Sequence, residues 1–251
     1  MIFNNPSQSR ESILIVEWDK HSLSFSVFHE PTNRVLATKV IDVNFDLYQS
    51  SKQEIDKILK SNDIFAYNFL KVIVVVNAPF YALVPKIIEN EGTLEQILKL
   101  NVSVPSGILK YKKEVLKSTV YNLVFAYPTY IENTFAELFP NIELTHINAV
   151  LIDMLTSYSK ANSIFNIHLS LNKLDVSLWS ENALKFHNTF EIATAEDVVY
   201  YTLNVMQELN LNTERTQVYY SGAFEAGGEK IELLSNYIKF LSPLERTNKI
   251  N

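Results

Sequence analysis

The chain has no cysteine among its 251 residues. Disulfides, zinc–thiolate sites, iron–sulfur clusters and cysteine nucleophiles are therefore excluded. Glycine is scarce as well, with 5 residues, where the usual ~7% would give more than three times as many. Enzymes that bring backbone amides against phosphates commonly rely on glycine to do so. Positive charge is not in excess: Lys plus Arg is 22, Asp plus Glu is 28, and the net charge is −6. That balance is a poor match to nucleic acid or anionic lipid, so neither a nucleic-acid partner nor direct membrane insertion is expected. Long apolar runs are missing too. The strongest, Val72–Val76, falls far short of the ~20 residues that cross a hydrocarbon core. Residues 1–12 show no secretory pattern, so the expected compartment is the cytoplasm. The five histidines at 21, 29, 146, 168 and 187 show no i, i+4 pair and no His-Glu-X-X-His, and no metal site is expected.

What is present is a globular composition, 47% hydrophobic and 20% charged, enough for one large domain or two small ones. After a polar and loosely held start to residue 12, three strand-like runs follow closely. They are Ile13–Trp18, a run in which Leu23, Phe25 and Val27 alternate with serines, and Arg34–Val43. Short connections predict antiparallel pairing. Ser51 and Glu54 have capping-box spacing for a helix with Ile55, Ile58 and Leu59 on one stripe. Leu70–Asn77 reads as a central strand covered on both faces.

The same order returns from residue 164. Runs at Ile164–Leu171, Leu174–Ser180 and Ala183–Phe190 precede a helix capped by Thr194 and Asp197. A short strand at Gln217–Tyr220 ends at Ser221-Gly222. The first and fourth strands start at 13 and 71 in one half and at 164 and 216 in the other, an internal duplication of topology rather than of sequence. Between the halves, Pro85–Asn90 and Thr93–Asn101 read as helices, the first closed by Gly92. Tyr111–Thr119 and Val120–Tyr127 read as a pair of strands. Thr129 and Glu132 suit the cap of a helix through Leu138, and a further helix is expected near 148–158.

A three-strand meander, a helix and a parallel strand, occurring twice, resembles the actin-like ATPase (ribonuclease H-like) fold. The chain looks like the type IV pilus assembly proteins of the PilM type and like the uncharacterised bacterial family DUF3822. The segments carrying the second likeness are Val76–Pro85 (VNAPFYALVP), Val124–Pro128 (VFAYP), Phe139–His146 (FPNIELTH) and Tyr219–Gly222 (YYSG). Together the likeness spans roughly residues 12 to 242. It implies an α/β protein of two lobes, each a mixed sheet flanked by helices. Residues 12–147 would form the N-terminal lobe, with an accessory subdomain near 80–127, and residues 148–245 the C-terminal lobe.

In the actin-like family each half opens with an Asp-X-Gly turn whose amides face nucleotide phosphates while the Asp holds hydrated magnesium. Laid on this chain, the first turn falls on Glu17, Trp18, Asp19 and Lys20, with Glu17 at the Asp position and Asp19 at the Gly position. The second falls on His168 to Lys173, with His168 at the Asp position and Ser170 at the Gly position. The family's glycine pair beside adenosine becomes Ser221-Gly222. A Cβ at a glycine position blocks close approach of phosphate. Asp19 would add a carboxylate against a polyphosphate, and His168 replaces an oxygen ligand that magnesium prefers.

Glu17, Asp19, Lys20, His168, Ser170, Lys173, Ser221 and Gly222 are thus the vestigial cleft positions. Their competing reading is exposed hairpin turns, joined in the second half by Asn172 and Asp175, or contacts to a partner. Gly227-Gly228 reads as a helix N-cap or as a meeting place for an anion. Tyr121, Phe125, Tyr127, Tyr130, Phe80 and Tyr81 read as core filling or as a partner surface. Lys110, Lys112, Lys113 and Lys117 read as a solvated strand edge. The resemblance with its altered turns implies a non-enzymatic scaffold for an unidentified protein partner, without catalytic residues or cofactor. The alternative is an ATP-binding protein or slow ATPase that uses magnesium through non-standard phosphate loops.

Overall fold

A computed structural model describes residues 6–20, 22–42, 52–87, 94–103, 109–117, 119–158, 163–170, 172–225 and 227–244. The chain divides into two compact units, one of residues 1–116 with 120–150 and one of 117–119 with 151–251.

The first unit begins with α1 (Pro6–Arg10). Ser9 is buried, and Ser12 Oγ donates to Gln8 O at 2.8 Å. Ser9 and Ser12 are therefore held in place, contrary to the loose start that the polar composition suggests. The meander is β1 (Ser12–Trp18), β2 (Ser22–His29) and β3 (Arg34–Asp42), all antiparallel. Asn33 turns the chain between β2 and β3 in the left-handed region, φ 53°. The next helix is α2 (Lys52–Lys60), which buries Ile55 and Leu59. Ser51, its expected cap, lies outside the described residues. β4 (Lys71–Val76) pairs parallel with β1. β8 (Ile142–His146) pairs parallel with β4, giving the order β3-β2-β1-β4-β8.

Between β4 and β8 lies a second, three-stranded sheet of order β5-β7-β6, made of β5 (Tyr81–Pro85), β6 (Leu109–Val115) and β7 (Tyr121–Pro128). α3 (Leu94–Asn101) supplies Leu94 and Leu98 to a core with Ala82, Val84, Val124 and Ala126. The helix expected to start at Pro85 is not there, since Pro85 ends a strand whose Ala82 and Val84 point inward against β7. Tertiary pairing overrides the local signal. Residues 88–93, Gly92 included, lie outside the described residues. α4 (Tyr130–Leu138) follows β7. Thr129 already has helical angles and makes no side-chain cap bond, while Glu132 accepts from Tyr127 OH and Lys110 instead.

α5 (Ile147–Tyr158) runs from the first unit into the second. The second unit repeats the first sheet with β9 (Ile164–Ser170), β10 (Lys173–Ser180), β11 (Ala183–Glu191), β12 (Gln217–Gly222) and β13 (Phe240–Pro243), in the order β11-β10-β9-β12-β13. The short β13 was not evident in the sequence. α6 (Ala195–Glu208) starts at a complete capping box, Thr194 with Asp197, as its spacing predicted. α7 (Glu229–Ser235) starts at N-cap Gly228. Phe165, Ile167, Leu169, Leu174, Val176 and Val218 from the sheet pack with Val198, Val205, Met206 and Leu234 from the two helices. Each buried aliphatic side chain contributes ~1.5–3 kcal/mol, so a one-residue slip of β9 is prohibitive.

Each third strand carries one extra residue. Leu36 is skipped in the β2–β3 register and Lys185 in the β10–β11 register. Among the described residues no helix is long and apolar enough to cross a membrane.

Candidate functional site

The two hairpin turns at the ends of β1–β2 and β9–β10 occupy equivalent places in their sheets. Trp18 pairs with Leu23 and Leu169 with Leu174. Asn77 N–H donates to Trp18 O at 2.8 Å, and Ala223 N–H donates to Leu169 O at 2.7 Å. Glu17 and His168 therefore hold the same position in the two units. So do the residues that end β4 and β12.

In the first turn, Asp19 N–H donates to Ser22 O at 3.1 Å and closes the hairpin. Asp19 is 4% exposed. Its Oδ1 accepts from Lys20 N–H at 2.5 Å, which occupies an amide at the tip of the turn. The expected exposed hairpin is thus corrected at Asp19, although Lys20 is exposed. The buried carboxylate is held because it answers a backbone donor in its own turn. Glu17 is half-buried, and its Oε1 accepts from Asn77 Nδ2 at 3.2 Å. Asn77 drew no attention in the sequence beyond ending the Val/Ile run. That placement, one residue past a parallel strand, was its only signal.

The second turn joins Ser170 to Lys173, which face each other across β9 and β10. Both are buried, as is Asp175, while Asn172 is exposed, so the expected exposed hairpin holds at Asn172 and is corrected at Lys173 and Asp175. A polar row crosses four strands on one face of the sheet. Ser221 lies opposite His168, His168 opposite Asp175, and Asp175 opposite Thr189. His168 Nδ1 and Ser221 Oγ are hydrogen-bonded at 3.0 Å, and Thr189 Oγ1 donates to Asp175 Oδ1 at 2.5 Å. Burial pushes the His168 imidazole down to about 4, so it is neutral near pH 7. One row away, His187 Nδ1 bonds Ser177 Oγ at 2.8 Å and is likewise pushed down to about 4 by burial. Gly222 has φ +85°, and a Cβ there would stand 2.2 Å from Leu169 O. Only glycine permits that approach of β12 to β9.

The first-turn residues Glu17, Asp19 and Lys20 thus share one hairpin. Ser170 and Lys173, with His168, Ser221 and Gly222, gather at the end of the second sheet. Elsewhere, of the central aromatics Phe125 and Tyr127 are core, 0% and 2% exposed, while Phe80, Tyr81, Tyr121 and Tyr130 are half-buried. Phe125 and Tyr81 rings flank His146. His146 is itself fixed by Ala78 O at 2.9 Å and Asn148 N–H at 3.1 Å. In the lysine cluster, Lys110 of edge strand β6 bonds Glu132 and Lys112 of the same strand bonds Leu144 O.

A family model described as a protein of unknown function, DUF3822, matches residues 3–241. A solved protein of Bacteroides thetaiotaomicron with an actin-like ATPase fold and unknown function is 17% identical, with a TM-score of 0.80 over 99% of this chain and 96% of that one. A PilM–PilN type IV pilus biogenesis complex contains a chain 12% identical, with a TM-score of 0.55 over 94% of this chain and 88% of that one. No curated protein matches. The chain belongs to the DUF3822 family, and its fold is the actin-like ATPase fold.

Proposed function

We propose that this DUF3822 member is a non-enzymatic scaffold on a degenerate actin-like fold, working in the cytoplasm with a protein partner and without a cofactor. The observation that carries this reading is Asp19. At a place where the fold's ATPases present a glycine, this chain has a buried carboxylate that takes up the neighbouring amide. Like charges at ~4 Å repel by ~1 kcal/mol in water and by several at a protein surface. His168 adds to the misfit, because a neutral imidazole held to Ser221 is a poor outer-shell partner for magnesium. The solved PilM–PilN complex illustrates that a protein of this fold is compatible with a protein partner.

The second reading, ATP binding through non-standard loops, is favoured by Gly222. It stands where the resemblance places a glycine of the pair beside adenosine, packed on β9 so closely that a Cβ would lie 2.2 Å from Leu169 O. A thermal-shift titration with ATP and magnesium separates the two. The scaffold reading expects no rise in melting temperature at millimolar ATP. A ligand at about 100 times its dissociation constant stabilises by ~2.7 kcal/mol, and a rise of that order overturns it. Hydrolysis that disappears in Glu17→Ala would overturn it as well.

A further inference from the structure

Within the first unit, β6 lies at the edge of the three-stranded sheet and β8 at the edge of the five-stranded one. Their backbones are not paired; side chains join them. Lys112 Nζ donates to Leu144 O. Glu114 Oε2 accepts from Thr145 Oγ1 at 2.9 Å and from His146 N–H at 3.5 Å. Leu144 C=O and His146 N–H are outward groups of an edge strand, and the two β6 side chains stand in for a sixth strand.

The joint is unevenly satisfied. Glu114 has a side chain 15% exposed, and its Oε1 is buried with no hydrogen bond. The facing cation, Lys112 Nζ, stands 3.7 Å from that oxygen. From β8, Glu143 faces Glu114 with like charge and is itself engaged by Lys71 of β4. His146 offers its backbone N–H while its ring turns to Ala78 and Asn148. On β7, the residues opposite and adjacent, Leu123 and Asn122, are uncharged.

We propose that the contact of β6 with β8 is a proton-linked joint, in which a neutral Glu114 holds the 81–128 sheet more tightly onto the first unit than a charged one. A proton on Oε1 removes a buried charge that accepts no hydrogen bond and is answered only by Lys112 at 3.7 Å, and it keeps Oε2 as an acceptor for Thr145 and His146. Burial, ahead of the opposing hydrogen bonds, holds the carboxyl above the usual glutamate value of 4.5. A group that binds its proton more strongly in the closed joint than in the open one must, by linkage, close the joint as pH falls.

The His146 amide reports directly on the joint. In the full-length chain its proton resonance should titrate with a midpoint above 4.5. Intrinsic-rate-corrected exchange protection of the Leu144 and His146 amides should rise several-fold as pH falls from neutral to below 4.5. Glu114→Gln, a neutral isostere, should give a flat profile at the acid-side protection. Thr145→Val should keep the titration while lowering protection at every pH. Protection that falls on acidification, or a pH response that persists in Glu114→Gln, overturns the proposal. These readouts need no nucleotide or partner, so they stand or fall separately from the scaffold reading.

Discussion

At position 222 a single methyl group would meet the carbonyl of Leu169 at 2.2 Å, with a backbone angle of +85° that L side chains rarely adopt. That carbonyl is backbone, and the next nearest group, the His168 ring at 2.8 Å, is buried and bonded to Ser221, so β12 or β9 must move. Gly222→Ala is expected to cost more than ~2 kcal/mol, measured as a shift of the urea midpoint with unchanged slope. A loss within ~0.5 kcal/mol would show that the strands have room. The need for glycine here was legible, because a glycine directly after an alternating strand announces a turn. The depth of Asp19 was not. A short polar run between strands reads as solvent-exposed, and only the hydrogen bond to its neighbour's amide reveals why a carboxylate is kept inside.

Among the elements, the edge strands are the exposed liability of an open sheet. β8 is five residues long and is covered by Lys112 and Glu114, while β13 has four residues and ends in Pro243. β3 and β11 are nine residues each; on β11 Asn188 Oδ1 accepts from Thr189 N–H at 2.9 Å, and each of the two strands has its bulge. A bulge bends and twists the strand and disturbs the row of outward amides that another chain would pair with. Deleting Leu36 should restore a regular β3 edge. Light scattering is then expected to show stronger concentration-dependent association than in the parent chain. A deletion variant that stays folded and monomeric would deny the bulge this role. Strands β1 to β4 and helix α6 were readable from periodicity and caps, which are local signals. β5 and β13 were not, since short strands owe their state to the neighbours they pair with.

For the molecule as a whole, the second unit stores a pH dependence. His168 and His187 titrate near 4 in the fold, against 6.5 when exposed. Between those values the unfolded chain binds protons that the native chain refuses. Stability is therefore complete above about pH 6.5 and falls as pH drops towards about 4, by at most ~1.4 kcal/mol per pH unit for each histidine. Urea unfolding across that window should show the decline, and His187→Asn should reduce its slope. A slope unchanged by that substitution would place the titration elsewhere. The duplicated topology was visible in the order of the elements because strand lengths and connections follow the chain. The polar row from Ser221 to Thr189 was not, because it is written across four strands distant in sequence and exists only once their registers are fixed.

Leu36 and Lys185 are each the third residue of the third strand in their unit, and each is passed over between the sixth and seventh residues of the strand beside it. Strand order alone demands no such irregularity. The matching bulges carry the duplication of the two units down from strand order to a single residue position.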